Sequence, residues 1–156
     1  MENELEFTGE RFVPGIDDPK LVMEHYQRYY WVRSLVKDKV VLDAACGEGY
    51  GSNILSGVAK KVLGLDIDAD AVEWAKNKYG EKENVGFVQG SIAELPLEDN
   101  SVDVVVSFET IEHVSEEIQE CYLREIKRVL KPDGFLVMST PNKAVYSDKY
   151  NYHNEF

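Results

Sequence analysis

The sequence predicts an α/β fold, a doubly wound and mainly parallel sheet with helices on both faces. Three observations predict it. Apolar, β-rich runs alternate with helix-patterned segments five times along 156 residues. The stretch "VVLDAACGEGYGS", residues 40–52, places Gly47, Gly49 and Gly51 where the first apolar run gives way to a helix. A second run, "KKVLGLDID", carries Asp66 at its end, 19 residues after Gly47. In such sheets crossovers are right-handed, and ligands bind at the carboxyl ends of the strands beside the topological switch point.

The elements follow in order. Residues 1–18 read as an irregular arm, with turn residues in "FVPGIDDP". Pro19 opens a helix over "KLVMEHYQRYYWVRSLV", with Leu21, Val22, His25, Tyr29, Val32 and Val36 near one face. The first strand, "KVVLDAA", ends at the glycines. A helix over "YGSNILSGVA" and the second strand follow. "ADAVEWAKNKYG" is a helix closed by Gly80. "NVGFVQG" is the third strand, "SIAELPLEDN" a loop with one helical turn, and "SVDVVVSFE" the fourth strand. The helix "SEEIQECYLREIKRVLKPDG" turns Ile118, Tyr122, Ile126, Val129 and Leu130 inward and stops at Pro132 and Gly134. "FLVMSTPN" is the fifth strand. One domain therefore covers residues 19–142, between the arm 1–18 and a tail 143–156.

A net charge of −12 works against phosphate backbones and anionic lipid, so neither nucleic acid nor a membrane is expected as a partner. The N-terminal stretch lacks a signal-like apolar core, and no run approaches a membrane span. Two distant cysteines, Cys46 and Cys121, fit a reduced, cytoplasmic setting better than a disulfide framework.

Side chains are absent from a loop when something must approach its backbone. A dinucleotide site wants G-x-G-x-x-G, but here the glycines run G-x-G-x-G and Ser52 stands at the next position. Asp43, ending the first strand, would set negative charge beside a pyrophosphate and suits a cation better. Asp66 is placed to accept both hydroxyls of a ribose. A ligand with an ammonium and a sulfonium on one adenosine is S-adenosylmethionine.

"VLDAACGEGYGS" resembles the first motif of class I S-adenosylmethionine-dependent methyltransferases. "VLGLDID" resembles their second motif, "FVQGSIAELPLEDNSVDVVVS" the third and fourth, and "LREIKRVLKPDGFLVMSTPN" the helix and strand after them. "FTGERFVPG" and "EHYQRYYW" resemble the N-terminal region of bacterial members linked to polysaccharide pathways. The resemblance implies that Asp43, Gly47 and Gly49 face the methionine part of the donor, that Asp66 holds the ribose and that Ile67 packs on adenine. Ser91 stands where family members often carry an Asp for the adenine amino group, with the Ile92 backbone serving the ring. Ala45 replaces a frequent glycine, a small methyl intrusion. Arg28, on the first helix, would reach the donor carboxylate, although an aromatic stripe packed on the sheet explains that helix equally well.

On the acceptor side, "SFETIEHV" leaves the fourth strand, and the resemblance places Phe108 and Glu109 on the methyl-donor face. His113 is the candidate general base for a hydroxyl acceptor; its plainer role is to cap or pack the next helix. Glu109, Glu112 and His113, with His153 further on, also resemble the metal ligands of small-RNA 2′-O-methyltransferases. The same E-x-x-E-H occurs in metal-free ubiquinone-pathway relatives, and the acidic charge disfavours RNA, so no metal is expected. Tyr146, Tyr150 and Tyr152 either line an acceptor pocket or cover the sheet.

The family sheet closes with an antiparallel hairpin after the fifth strand, and that hairpin is missing here. The expectation is therefore a C-terminally truncated methyltransferase acting on a small-molecule, sugar-linked hydroxyl, or a donor-binding remnant or interaction module without turnover. A homodimer through the apolar edge "GFLVMST" is also expected.

Overall fold

The computed structural model describes residues 19–142, with side chains from residue 22 onward. The arm 1–18, the tail 143–156 with its tyrosines and His153, and the side chain of Leu21 lie outside the described residues.

Five strands form one sheet in the order β3-β2-β1-β4-β5. They are β1 (Val40–Ala44), β2 (Lys61–Asp66), β3 (Val85–Gln89), β4 (Val102–Phe108) and β5 (Leu130–Ser139). All four neighbouring pairs are parallel. The switch point falls between β1 and β4, so the carboxyl ends of both strands open onto one crevice.

The helices are α1 (Pro19–Val32), α2 (Tyr50–Ser56), α3 (Ala69–Tyr79) and α4 (Glu116–Val129). Alternation along the strands divides the core into two layers. Val41, Val62, Val104 and Val106 face one way, towards α1, α2 and α3 with Tyr29, Val32, Leu55 and Val72. Leu42, Leu65 and Val105 face the other, against Tyr122, Ile126 and Val129 of α4. No helix among the described residues is long and apolar enough to cross a membrane. Cys46 and Cys121 are both free thiols.

Four local expectations change. The first helix stops at Val32, although Val36 beyond it is still fully buried. Residues 91–100 contain an isolated Ser91–Glu94 bridge rather than a helical turn. Gly80 does cap α3, but with right-handed backbone (φ −70°), and an added Cβ would run into the Lys76 carbonyl. The last helix ends at Val129 instead of reaching Gly134, because Leu130 already pairs with Val102. A register shift then brings Phe135 opposite Val104. Asp103 fastens this irregular strand: it accepts from Lys131 Nζ at 2.7 Å and, on its other oxygen, from the Val40 amide at 2.7 Å.

The glycines of the first loop prove to have different reasons. A Cβ on Gly47 would meet nothing within 4 Å. One on Gly49 would come within 2.5 Å of the Phe87 ring, and one on Gly51 would sit inside the Tyr29 ring. Gly47 faces open space with left-handed backbone (φ 53°), while Gly49 and Gly51 are small because core aromatics occupy their side-chain space. Gly51→Ala is expected to cost about 1–3 kcal/mol through overpacking against Tyr29, read as a fall in the urea midpoint at constant slope.

Candidate functional site

The crevice is built from the loop that joins β1 to α2. Its backbone enters the left-handed region at Ala45 (φ 57°), Gly47 (φ 53°) and Gly49 (φ 76°). At Ala45 the cost lies in the backbone rather than in a protruding methyl: an L-residue there gives up about 1–2 kcal/mol, which a glycine would not.

The loop is tied to β2. The Cys46 amide donates to the Leu65 carbonyl at 2.9 Å, and the Gly47 amide donates to Asp66 Oδ2 at 2.7 Å. Asp66 Oδ1 accepts from the Asp68 amide at 3.0 Å. Two of about four lone-pair sites on that carboxylate are thereby used, leaving capacity for further hydroxyl donors. Beside it Ile67 is 73% exposed, an isolated large apolar side chain at the sheet end. Across β3, Ser91 and Ile92 are half-buried; Ser91 Oγ accepts from the Ala93 amide at 3.1 Å, while Ile92 packs on the α4-side core. Gly47, Asp66, Ile67, Ser91 and Ile92 therefore lie together along the ends of β1, β2 and β3.

Asp43 behaves differently from its expectation. It has no exposed surface, and each oxygen already has a donor: Tyr29 OH reaches Oδ1 at 3.1 Å and Ser52 Oγ reaches Oδ2 at 2.6 Å. It is a bracket behind the loop, joining α1, β1 and α2, rather than a carboxylate presented to a ligand. Burial pushes its pKa up to about 7, against the two hydrogen bonds that favour the charged form. Burial, then the neighbouring Asp43, likewise pushes the Tyr29 hydroxyl well above its ordinary value.

The end of β4 forms the other wall. Phe108 stacks edge-on against Tyr29, with ring centroids 5.0 Å apart. Glu109, at φ 51°, lies 3.5 Å from Arg28 Nη2 and accepts from Ser139 Oγ at 2.7 Å. His113 ends a short 3-10 turn, Ile111–His113, and is half-buried. Glu112 Oε2 accepts from Thr140 Oγ1 at 3.1 Å. Among the described residues no three His, Cys, Asp or Glu side chains are grouped to hold a metal ion.

Between α1 and the ends of β4 and β5 is a cavity of about 410 Å³, lined by Glu24, Gln27, Arg28, Trp31, Phe108, Val137, Met138 and Ser139. Sequence reasoning singled out Arg28 and Phe108 here but missed the rest of the wall. The signal was present: Glu24, Gln27, Arg28 and Trp31 follow i, i+3, i+4, i+7, one helical face. His25 faces elsewhere, its Nδ1 3.2 Å from Tyr50 OH. Burial, then Arg28, holds its pKa below the ordinary histidine value.

A family model described as "Methyltransferase domain" matches residues 42–138, from inside β1 to near the end of β5. The chain belongs to the methyltransferase domain family. It is similar to a "Probable S-adenosylmethionine-dependent methyltransferase" of Mycolicibacterium smegmatis, 38% identical over 94% of this chain and 56% of that protein. It is also similar to a demethylmenaquinone methyltransferase of Staphylococcus aureus, 33% identical over 86% of this chain and 60% of that protein. Among solved structures it resembles an S-adenosylmethionine-dependent methyltransferase from Aquifex aeolicus, with TM-score 0.68 and 28% identity over 82% of this chain and 72% of that one. The chain spans a little over half the length of the curated relatives it matches.

In this methyltransferase domain Asp43 makes stability depend on pH. Its pKa rises from an ordinary 3.8 to about 7, so between those values the folded protein holds a proton that the unfolded chain has released. The resulting stabilisation is complete below the lower value and is lost as pH rises through about 7. Unfolding free energy should fall by roughly 2–3 kcal/mol from pH 5 to pH 8 on this account. Asp43→Asn should flatten that slope in urea titrations; an equally steep slope in the variant would remove Asp43 as its source.

Proposed function

We propose that the chain binds S-adenosylmethionine along the ends of β1, β2 and β3 and transfers its methyl group to a small-molecule hydroxyl bound in the neighbouring cavity. The observation that carries this reading is the Asp66 carboxylate. It grips the Gly47 amide at 2.7 Å beside an open Gly47 and an exposed Ile67, so a ribose acceptor, a bare backbone and an apolar ring platform lie together. The bound donor supplies an electrophilic methyl group on a sulfonium.

The residues of the chain do the rest. Asp66 orients the ribose, Ile67 covers one face of the adenine, and Ser91 with the Ile92 backbone meets its edge. Phe108 separates the donor crevice from the cavity. Glu109 is engaged by Arg28 and Ser139, which suits it to fixing α1 over the site better than to taking a proton. His113, on the turn leaving β4, lies outside the residues that line the cavity. As the base it would accept the proton of a hydroxyl that extends from the cavity towards that turn, while the new C–O bond forms and the methyl–sulfur bond of the donor breaks.

A second reading concerns the acceptor. Trp31, Phe108, Val137 and Met138 give the cavity a largely apolar wall. That wall favours an apolar acceptor of the kind named for the Staphylococcus aureus relative over a sugar-linked one. Parallel assays with a glycoside and with the reduced, hydroquinone form of a demethylated quinone, which carries the hydroxyls that the quinone lacks, separate the two.

Donor binding is tested with S-adenosylhomocysteine by calorimetry. Asp66→Ala should weaken it at least tenfold, since each hydrogen bond to a charged group contributes roughly 1.5–3 kcal/mol; undiminished affinity would sink the assignment. His113→Ala should keep donor affinity and lose ~10²–10⁴ in rate; a full rate would reject the base.

A further inference from the structure

The loop from β3 to β4 carries Ser91 and Ile92, yet it has little regular structure of its own to fix them. It is held at its start, at its middle and at its end, where the Asn100 and Ser101 amides donate to the Arg128 and Val129 carbonyls at 2.9 and 2.8 Å. At its start the Gly90 amide donates to the Asp66 carbonyl at 2.9 Å, next to the Gln89 side chain on the Ile67 carbonyl at 3.1 Å. At its middle it is held by two side chains near the end of α4, Arg128 and Glu125. Arg128 Nη2 donates to the Leu95 carbonyl at 2.9 Å, and Nη1 to the Leu97 carbonyl at 2.7 Å and Asp99 Oδ1 at 2.9 Å. Glu125, one turn earlier, takes Arg128 Nε and Nη2 in a two-pronged pair, each at 2.7 Å. Glu125 also accepts from the Leu95 amide at 2.8 Å. Leu95 itself is 3% exposed and anchors the loop in the α4-side core.

We infer that Glu125 and Arg128 are positioning residues for the adenosine half of the donor, acting through residues 91–97. The inference rests on the donor site proposed above. A planar guanidinium can fork onto a carboxylate and still reach two carbonyls; an ammonium is a point charge and cannot hold all of them in one geometry. Both side chains keep some solvent contact, 30% for Arg128 and 18% for Glu125, so the pair is a modest source of fold stability. Its larger effect is geometric: it sets the backbone path from the Gly90 tether to Leu95, and Ser91 and Ile92 lie on that path.

The test compares two ligands on the full chain, well below its melting temperature: S-adenosylhomocysteine, and 5′-methylthioadenosine, which lacks the amino-acid part. Arg128→Lys should weaken both by about the same factor, on the order of tenfold, because the loss sits on the adenosine they share. Glu125→Gln keeps an acceptor for the Leu95 amide and should lose less, in the same direction; it carries the test if Arg128→Lys does not fold. Unchanged affinities with a lowered melting temperature would overturn the inference, leaving the pair purely structural. So would a loss confined to S-adenosylhomocysteine. If the unsubstituted chain binds neither ligand, the donor reading itself falls and this inference falls with it.

Discussion

The buried carboxylate of Asp43 is the interaction on which the rest of the crevice depends. It stands one residue before the end of the central strand, and its two oxygens are claimed by helices approaching from different parts of the chain, Tyr29 on α1 and Ser52 on α2. A desolvated carboxylate is costly unless its acceptors are filled. Tyr29 and Ser52 therefore have one arrangement far better than any other, and that arrangement fixes where α1 crosses the sheet. Once Tyr29 is seated its ring fills the space over Gly51 and meets Phe108 at the end of β4.

The two walls of the crevice are secured by different physics. On the β2–β3 side the fastenings are backbone amides on Asp66 and the guanidinium fork on the following loop, directional bonds that set angles. On the β4–β5 side aromatic contacts among Tyr26, Tyr29, Tyr50 and Phe108 carry more of the fastening, beside the Arg28–Glu109 ion pair and the Ser139–Glu109 and Thr140–Glu112 hydrogen bonds. Directional bonds suit the recognition of an invariant, polar ligand such as a nucleoside. Packing contacts tolerate variation in shape, which would suit the wall proposed to meet the acceptor.

Much of the fold was legible because strand and helix periods are local properties of sequence, and a chain that alternates them has few ways to bury both strand faces. That Gly47, Asp66, Ile67, Ser91 and Ile92 would gather along the ends of β1, β2 and β3 was legible for the same reason: they stand where apolar runs end. What could not be read was set by contacts distant in sequence. Nothing near Asp43 announces that Tyr29, from another helix, will seal it from water. Gly49 and Gly51 look like Gly47 until Phe87 and Tyr29 are placed beside them. The end of α4 was misread because Pro132 and Gly134 are the obvious local stops. Pairing of Leu130 with Val102, and the Lys131–Asp103 contact nearby, draws the chain into the sheet sooner.

The first helix presents two faces that answer to separate demands. Tyr29 and Val32 are buried against the sheet and carry the bracket to Asp43. Gln27 and Trp31 line the cavity, and Trp31 is 65% exposed. Selection can thus act on one face while sparing the other. Substitutions at Gln27 or Trp31 alter the cavity wall and leave the Tyr29 seat untouched, so copies of such a domain can diverge at that cavity while the bracket that holds the β1 loop is inherited intact.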